Sequence, residues 1–269
     1  QASRRVGSLN PRLVTHRSRA RSYNRSESEN RLRTKKTFQM STLPKVVVFG
    51  SACVDLLMQP ETLPRPGVTV LAKTYELLPG GKGANQAHAC AMASRGDVEK
   101  NTNIKTDFVG AVGNDAFGVL LKKAFHDAGV GTAGLSTHDS LPTACAAVVV
   151  DSNGENQIAV GSGANNSVRA GMLADTSSFS LEKNDVLLLQ MEIPVEEVCG
   201  AIDAAHQAGA LSVLNVAPSA PVPKAVLERL DFLIVNEHEA IDVYESIMPL
   251  RTPRDSPDLD PLAVSRVVA

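Results

Sequence analysis

Between Lys45 and Asn236, short β-branched or leucine-rich runs alternate with Ala-rich or amphipathic stretches of helical length. This alternation constrains the fold more than any other feature of the chain. Lys45–Gly50 (KVVVFG) is a β-branched run ending in glycine, the pattern of a strand buried on both faces of a parallel sheet. Thr106–Val112, Asp185–Gln190 (DVLLLQ), Leu211–Val216 and Asp231–Asn236 (DFLIVN) read as further strands. Gly83–Arg95 reads as a helix with Gly96 just past its end. Asp115 caps a second helix running to about Ala128, and Val195–Ala208 forms a third, ended by Gly209. A short helix near Lys224–Leu230 precedes the last strand. Strands alternating with helices predict an α/β fold on a doubly wound parallel sheet. Ala144–Val150 and Gln157–Val160 stand outside that rhythm. They flank Asp151-Ser152-Asn153-Gly154 as a hairpin with an Asn-Gly turn, and with Val68–Leu78 they predict a small antiparallel accessory sheet.

The domain so outlined spans residues 41–248. Residues 1–40 show no periodicity and carry 11 Lys/Arg against two acids, Glu27 and Glu29. Two readings of this leader stay open: an Arg- and Ser-rich organelle transit peptide, or a disordered or normally untranslated stretch ahead of a true start at Met40. The first implies an organelle; the second implies the cytoplasm, with the nucleus also open to it. Residues 249–269 are Pro-rich, with no element to defend. The remaining chain is acidic, Trp is absent and aromatics reach only 4%, which argues against nucleic acid as a partner and against a base-stacking surface. No run approaches 18 apolar residues, so no membrane span is expected. Cys53, Cys90, Cys145 and Cys199 lie far apart with no CxxC pair, which argues against a zinc site or disulfide framework and suits a reducing compartment.

Four polar motifs follow strands. Pro79–Ala87 (PGGKGANQA) places three glycines before an Ala-rich helix, whose first N–H groups are expected to stay open for a ligand at a positive helix end. It is neither a Walker A loop nor GxGxxG, and a plain tight turn is the alternative. Gly50–Asp55 (GSACVD) follows the first strand directly, so Asp55 is placed to grip a hydroxyl; its alternative is a loop cap. Gln190–Pro194 ends a strand with Glu192. Asn236-Glu237-His238-Glu239 ends another, where Glu239 could hold a metal-bound water or serve only as a first-turn helix acid. On a parallel sheet all four converge on one crevice.

GSACVDL, PGGKGANQA, VGAVGNDAFG (Val109–Gly118), LQMEIP and VNEHEA occur in the order and approximate spacing of the ribokinase-like (PfkB) carbohydrate kinases, which the chain resembles from about Lys45 to Ala240. The resemblance implies an α/β core with a small β lid over a sugar. It implies ATP-dependent phosphorylation of the 5-hydroxyl of D-ribose, with Mg²⁺ and a monovalent cation (K⁺) as cofactors and a homodimer formed through the lid. It puts Asp55, Gly81, Lys82, Asn85 and Glu192 on the sugar, Asn236 on the nucleotide and Glu239 on the metal. Two departures stand out. Cys53 occupies the position where the family's ribose motif carries Asn, and a thiol is a poor hydrogen-bond partner. The family's later half, with the Gly-Ala-Gly-Asp segment that supplies the catalytic base and anion hole, has no counterpart after Glu239. The fold is therefore expected to be incomplete at its carboxyl end, with no catalytic residue in the chain and impaired phosphoryl transfer. A non-catalytic sugar-binding or dimerising fragment, or a kinase for another sugar or a nucleoside, is the alternative.

Overall fold

The computed structural model describes residues 44–95, 104–174 and 179–247. The leader 1–40, Gly96 and the tail 249–269 lie outside the described residues. In chain order the elements are β1 (Val46–Phe49), β2 (Cys53–Pro60), β3 (Ala72–Gly80), α1 (Lys82–Ser94), β4 (Thr106–Gly113), α2 (Ala116–Ala128) and β5 (Gly131–His138). Then come β6 (Ala144–Val150), β7 (Asn156–Gly161), two 3-10 turns (Gly163–Ser167 and Ala170–Leu173), β8 (Val186–Leu189) and α3 (Val195–Ala208). The described residues end with β9 (Leu211–Asn215), α4 (Lys224–Leu227), β10 (Phe232–Ile234) and α5 (Glu237–Ile247).

Six strands form a parallel sheet in the order β10-β9-β8-β1-β4-β5. β1 lies inside it, and its alternate residues feed two separate cores, which is why it reads VVVF without polar interruption. Val47 and Phe49 pack on one face with Leu187, Leu189, Ile202 and Leu214. Val48 packs on the other with Ala87, Phe108, Leu121 and Phe125, where the Phe108 and Phe125 rings stack at 4.6 Å between centroids. Each such fully buried Val, Leu, Ile or Phe side chain contributes about 1.5–3 kcal/mol. α1 and α2 cover the second face; α3, α4 and α5 cover the first. The chain thus passes from β1 through α1 to β4 on one side and from β8 through α3 to β9 on the other. The strand order reverses between β1 and β8, and a crevice opens at their carboxyl ends.

The accessory sheet has the order β3-β2-β6-β7 and is mixed, which corrects the antiparallel expectation. β2 pairs antiparallel with β3, and β6 with β7, but β2 and β6 run parallel. The reason is geometric. β2 follows β1 and β6 follows β5, so both leave the same edge of one parallel sheet in the same direction. The β6–β7 connection is a loop over residues 151–155, closed by Asp151 N–H to Glu155 O at 2.9 Å with Gly154 at φ 86°, so the Asn-Gly pair sits inside a longer hairpin loop. β5 (GTAGLSTH) lacks an apolar run or an apolar/polar alternation, and it forms because β4 offers it a ladder.

Candidate functional site

The glycine-rich turn connects β3 to α1. Gly81 caps the helix at φ 90°, and a Cβ there would stand 2.9 Å from the Cys53 amide nitrogen, so both conformation and close approach require glycine. The helix start is not open, contrary to the sequence expectation. Lys82 N–H donates to Glu192 Oε2 at 2.8 Å, Gly83 N–H to Ser51 Oγ at 3.2 Å, and Ala84 N–H to Ser51 O at 2.8 Å. The carboxylate of Glu192 takes the place a ligand anion would have had at the positive helix end. A Cβ on Gly83 would sit 2.6 Å from the Ser51 carbonyl oxygen, so the third glycine of the motif lets the loop after β1 lie against the helix.

Ser51 O–H also donates to Glu192 Oε2, at 2.6 Å. Ser51 carries no motif signal of its own and is missed by sequence reasoning, although it lies within GSACVD. Asn165, in the first 3-10 turn, is also missed. It is 3% exposed and holds both backbone groups of Ala52, accepting from its N–H and donating to its carbonyl, each at 3.1 Å. Its neighbours Gly163-Ala164-Asn165-Asn166 form the only signal that could have pointed to it: a small-residue turn directly after an accessory strand.

Asp55 is a residue of β2 and not of a loop, which removes the loop-cap alternative. Its carboxylate lies over Gly80, where an added Cβ would meet Oδ2. Cys53, Asp55, Gly81, Lys82, Asn85 and Glu192 all line one cleft of about 580 Å³ between the accessory sheet and the carboxyl ends of β1 and β8. Ala146, Val148, Ile158 and Val160 of β6 and β7 form its apolar roof. Burial raises the Asp55 carboxyl above its ordinary range and the nearby charge of Glu192 adds to this, while the Cys53 thiol pulls the other way. Burial, then the Asp55 charge, pushes the Cys53 thiol up to about 12, so it is a neutral group that donates weakly to the Val54 carbonyl at 3.6 Å. Lys82 Nζ stands 3.9 Å from Glu192 Oε1 with both side chains partly exposed, a contact worth at most about 1 kcal/mol.

Asn236 and Glu239 are not among the residues lining this cleft. They stand at the carboxyl end of β10, on the same edge of the sheet but two strands beyond β8. There they cap α5 reciprocally: Asn236 N–H donates to Glu239 Oε2 at 2.8 Å, and Glu239 N–H to Asn236 Oδ1 at 2.9 Å. Three of the four motifs therefore converge on one cleft, and the fourth forms a separate capping box.

Asp115 caps α2 through Gly118 N–H at 2.8 Å and receives both the amide and the hydroxyl of Thr143 at 2.7 Å, tying the helix to the start of β6. Burial by itself would raise its carboxyl, but these donors outweigh it and hold Asp115 below the ordinary carboxylate range. A depressed folded pKa contributes stability that is present above the ordinary value near 3.9 and lost as pH falls through the folded value. Asp115→Ala is therefore expected to cost about 2 kcal/mol, with the cap and the Thr143 donors contributing about equally. Urea melts at pH 7 and pH 3 check this. An equal difference between variant and parent at both pH values would show that the charge is not what holds the helix.

Residues 43–246 match the family described as pfkB family carbohydrate kinase. The ribokinase of Schizosaccharomyces pombe is 32% identical over 197 residues, 72% of this chain and 60% of that protein. The ribokinase of Arabidopsis thaliana is 35% identical over 199 residues, 73% of this chain and 50% of that protein. The chain thus spans about half to three fifths of the length of these relatives. Among solved structures, Arabidopsis thaliana ribokinase complexed with ribose and ATP superimposes with a TM-score of 0.65 at 31% identity, covering 84% of this chain and 67% of that one. The match takes in both sheets and the cleft between them, and on that ground this chain belongs to the pfkB family of carbohydrate kinases.

Proposed function

We propose that these residues form the sugar-binding part of an ATP-dependent kinase acting on the 5-hydroxyl of D-ribose. The observation that carries this reading is the cleft at the β1/β8 switch point. It gathers two carboxylates (Asp55 and Glu192), the Lys82 ammonium and the Asn85 amide around one volume roofed by apolar side chains. Carboxylates accept from paired hydroxyls while the apolar roof excludes water, the combination a small polyol needs. Asp55 holds adjacent hydroxyls, Glu192 accepts from another through Oε1, and Lys82 and Asn85 fix the orientation. The names of the relatives, and the solved complex of one of them with ribose and ATP, support the substrate and nucleotide.

Asn236 supports the nucleotide and Glu239 the metal in this reading. Glu239 spends one oxygen on its cap, and among the described residues no group of three or more His, Cys, Asp or Glu side chains could hold a metal ion. One carboxylate suits Mg²⁺, which keeps waters and phosphate oxygens as its other ligands, and not an ion held by protein alone. K⁺ belongs to the family's later half and is assigned to no residue here. Tyr75 and Leu77 of β3 are exposed and apolar and lie on the face of the accessory sheet opposite Asp55, which supports a second copy of the chain packing over that sheet.

Cys53 supports a second reading, a family kinase for another sugar or a nucleoside. Isothermal titration of the chain with ribose, fructose and adenosine separates the two. In the ribose reading, Cys53→Asn replaces a weak donor by an amide and is expected to tighten ribose binding about fivefold, the worth of one net hydrogen bond. Unchanged or weaker ribose binding, with tighter binding of fructose or adenosine by the parent chain, would overturn ribose as the substrate.

A further inference from the structure

We infer that Ser51 is a positioning residue for Glu192: its hydroxyl proton fixes which oxygen of that carboxylate is left for a ligand. The inference rests on the sugar reading of the cleft. Ser51 is 1% exposed, and its side chain sits between two elements that sequence keeps far apart, 141 residues from Glu192 and 32 from Gly83. Its hydroxyl has one proton, and that proton goes to Glu192 Oε2 at 2.6 Å. Oε2 receives a second donor from the Lys82 amide at 2.8 Å and is thereby used up on protein groups. Among the described residues, Oε1 faces only the more distant Lys82 ammonium, at 3.9 Å, while Glu192 itself lines the cleft. With two donors on one oxygen, the carboxylate cannot turn about its terminal bond without breaking charge-assisted hydrogen bonds.

Closing the helix start is the competing role, and the geometry makes the hydroxyl proton unnecessary for it. The Ser51 carbonyl already accepts from Ala84 N–H at 2.8 Å, and the Gly83 amide needs only an oxygen lone pair from Oγ. The donor direction of the hydroxyl serves Glu192 alone.

A double-mutant cycle on ribose affinity tests this, with isothermal titration of the 269-residue chain, Ser51→Ala, Glu192→Gln and the double variant. Ser51→Ala is expected to weaken ribose binding about tenfold or more in the parent, as loss of one hydrogen bond to a charged group. In the Glu192→Gln background the same change is expected to cost less than about threefold, because the two residues act as a unit. If Ser51→Ala unfolds, Ser51→Cys keeps the volume with a poor donor and is expected to show the same coupled loss. A tenfold loss that repeats undiminished in the Glu192→Gln background, or no loss in either, overturns the assignment and leaves Ser51 a helix cap. A parent chain that binds no ribose overturns the sugar reading itself and this assignment with it.

Discussion

Asp55→Ala is expected to weaken ribose binding by about two to four orders of magnitude without lowering the melting temperature. The affinity loss follows from two adjacent hydroxyls losing a charged acceptor, each bond contributing about 1.5–3 kcal/mol. The unchanged melting temperature follows from the other side of the same residue. Burial and the nearby Glu192 charge raise the Asp55 carboxyl, so in the free protein the ionised group is held at a cost that alanine removes. A pH dependence goes with it. Because the folded pKa is raised, ribose affinity is expected to fall on acidification at a pH above that of an ordinary carboxylate, near 3.9. Isothermal titration of both forms from pH 4 to 8, with thermal melts alongside, checks both arms. An affinity unchanged by the substitution would mean the sugar does not reach Asp55, and the pocket would have to be placed elsewhere.

The second large effect is expected on turnover. The 269 residues by themselves are expected to release no ADP in response to ribose at an ordinary kinase rate of about 1–100 per second. In the family pattern a Gly-rich helix start bearing Asp supplies the base and the anion hole, and no glycine follows Gly209 in this sequence. General-base and anion-hole effects each contribute roughly 10²–10³ or more to rate, so their joint loss places turnover about 10⁴-fold or further below that range. Asp115 is no substitute. Oδ1 accepts from the Thr143 hydroxyl and Gly118 N–H, and Oδ2 accepts from the Thr143 amide. It lines a different cavity from the one holding Asp55 and Glu192. A coupled assay for ADP with Mg²⁺ and K⁺ present, with and without ribose, decides the matter. Ribose-stimulated ADP release at 1–100 per second would require a base within the cleft, and Asp55 would be the first residue to test.

Much of this architecture is legible along the chain because it is written in local periodicity. α2 and α3 end at Gly129 and Gly209, both left-handed at φ 72°; the sequence bounds α3 by its glycine and α2 by its Asp115 cap and a run ending at about Ala128. β1, β4, β8, β9 and β10 read as strands because short apolar, β-branched or leucine-rich runs alternating with helical stretches fit the strands of a parallel sheet. The motifs also carry the family, since five of them in one order cannot arise from helix and strand propensity alone.

What stayed illegible depends on pairings that no local pattern encodes. β2 carries no strand signal of its own because SACVD follows β1 after a single glycine, and its two partners, antiparallel β3 and parallel β6, make it a strand. The open helix end expected at PGGKG is closed by Ser51 and Glu192, which come from two other elements. Asn165 reaches Ala52 across 113 residues. Each of these contacts is set by strand order, and strand order follows from which face each crossover takes, a choice made by the packing of the whole sheet. The sequence by itself therefore determined the types of the elements other than β2 and β5, the parallel core and the family. The tertiary structure alone decided that Asp55 and Glu192 share one cleft while Asn236 and Glu239 cap a helix two strands away, because side chains meet where the strand order brings their elements together.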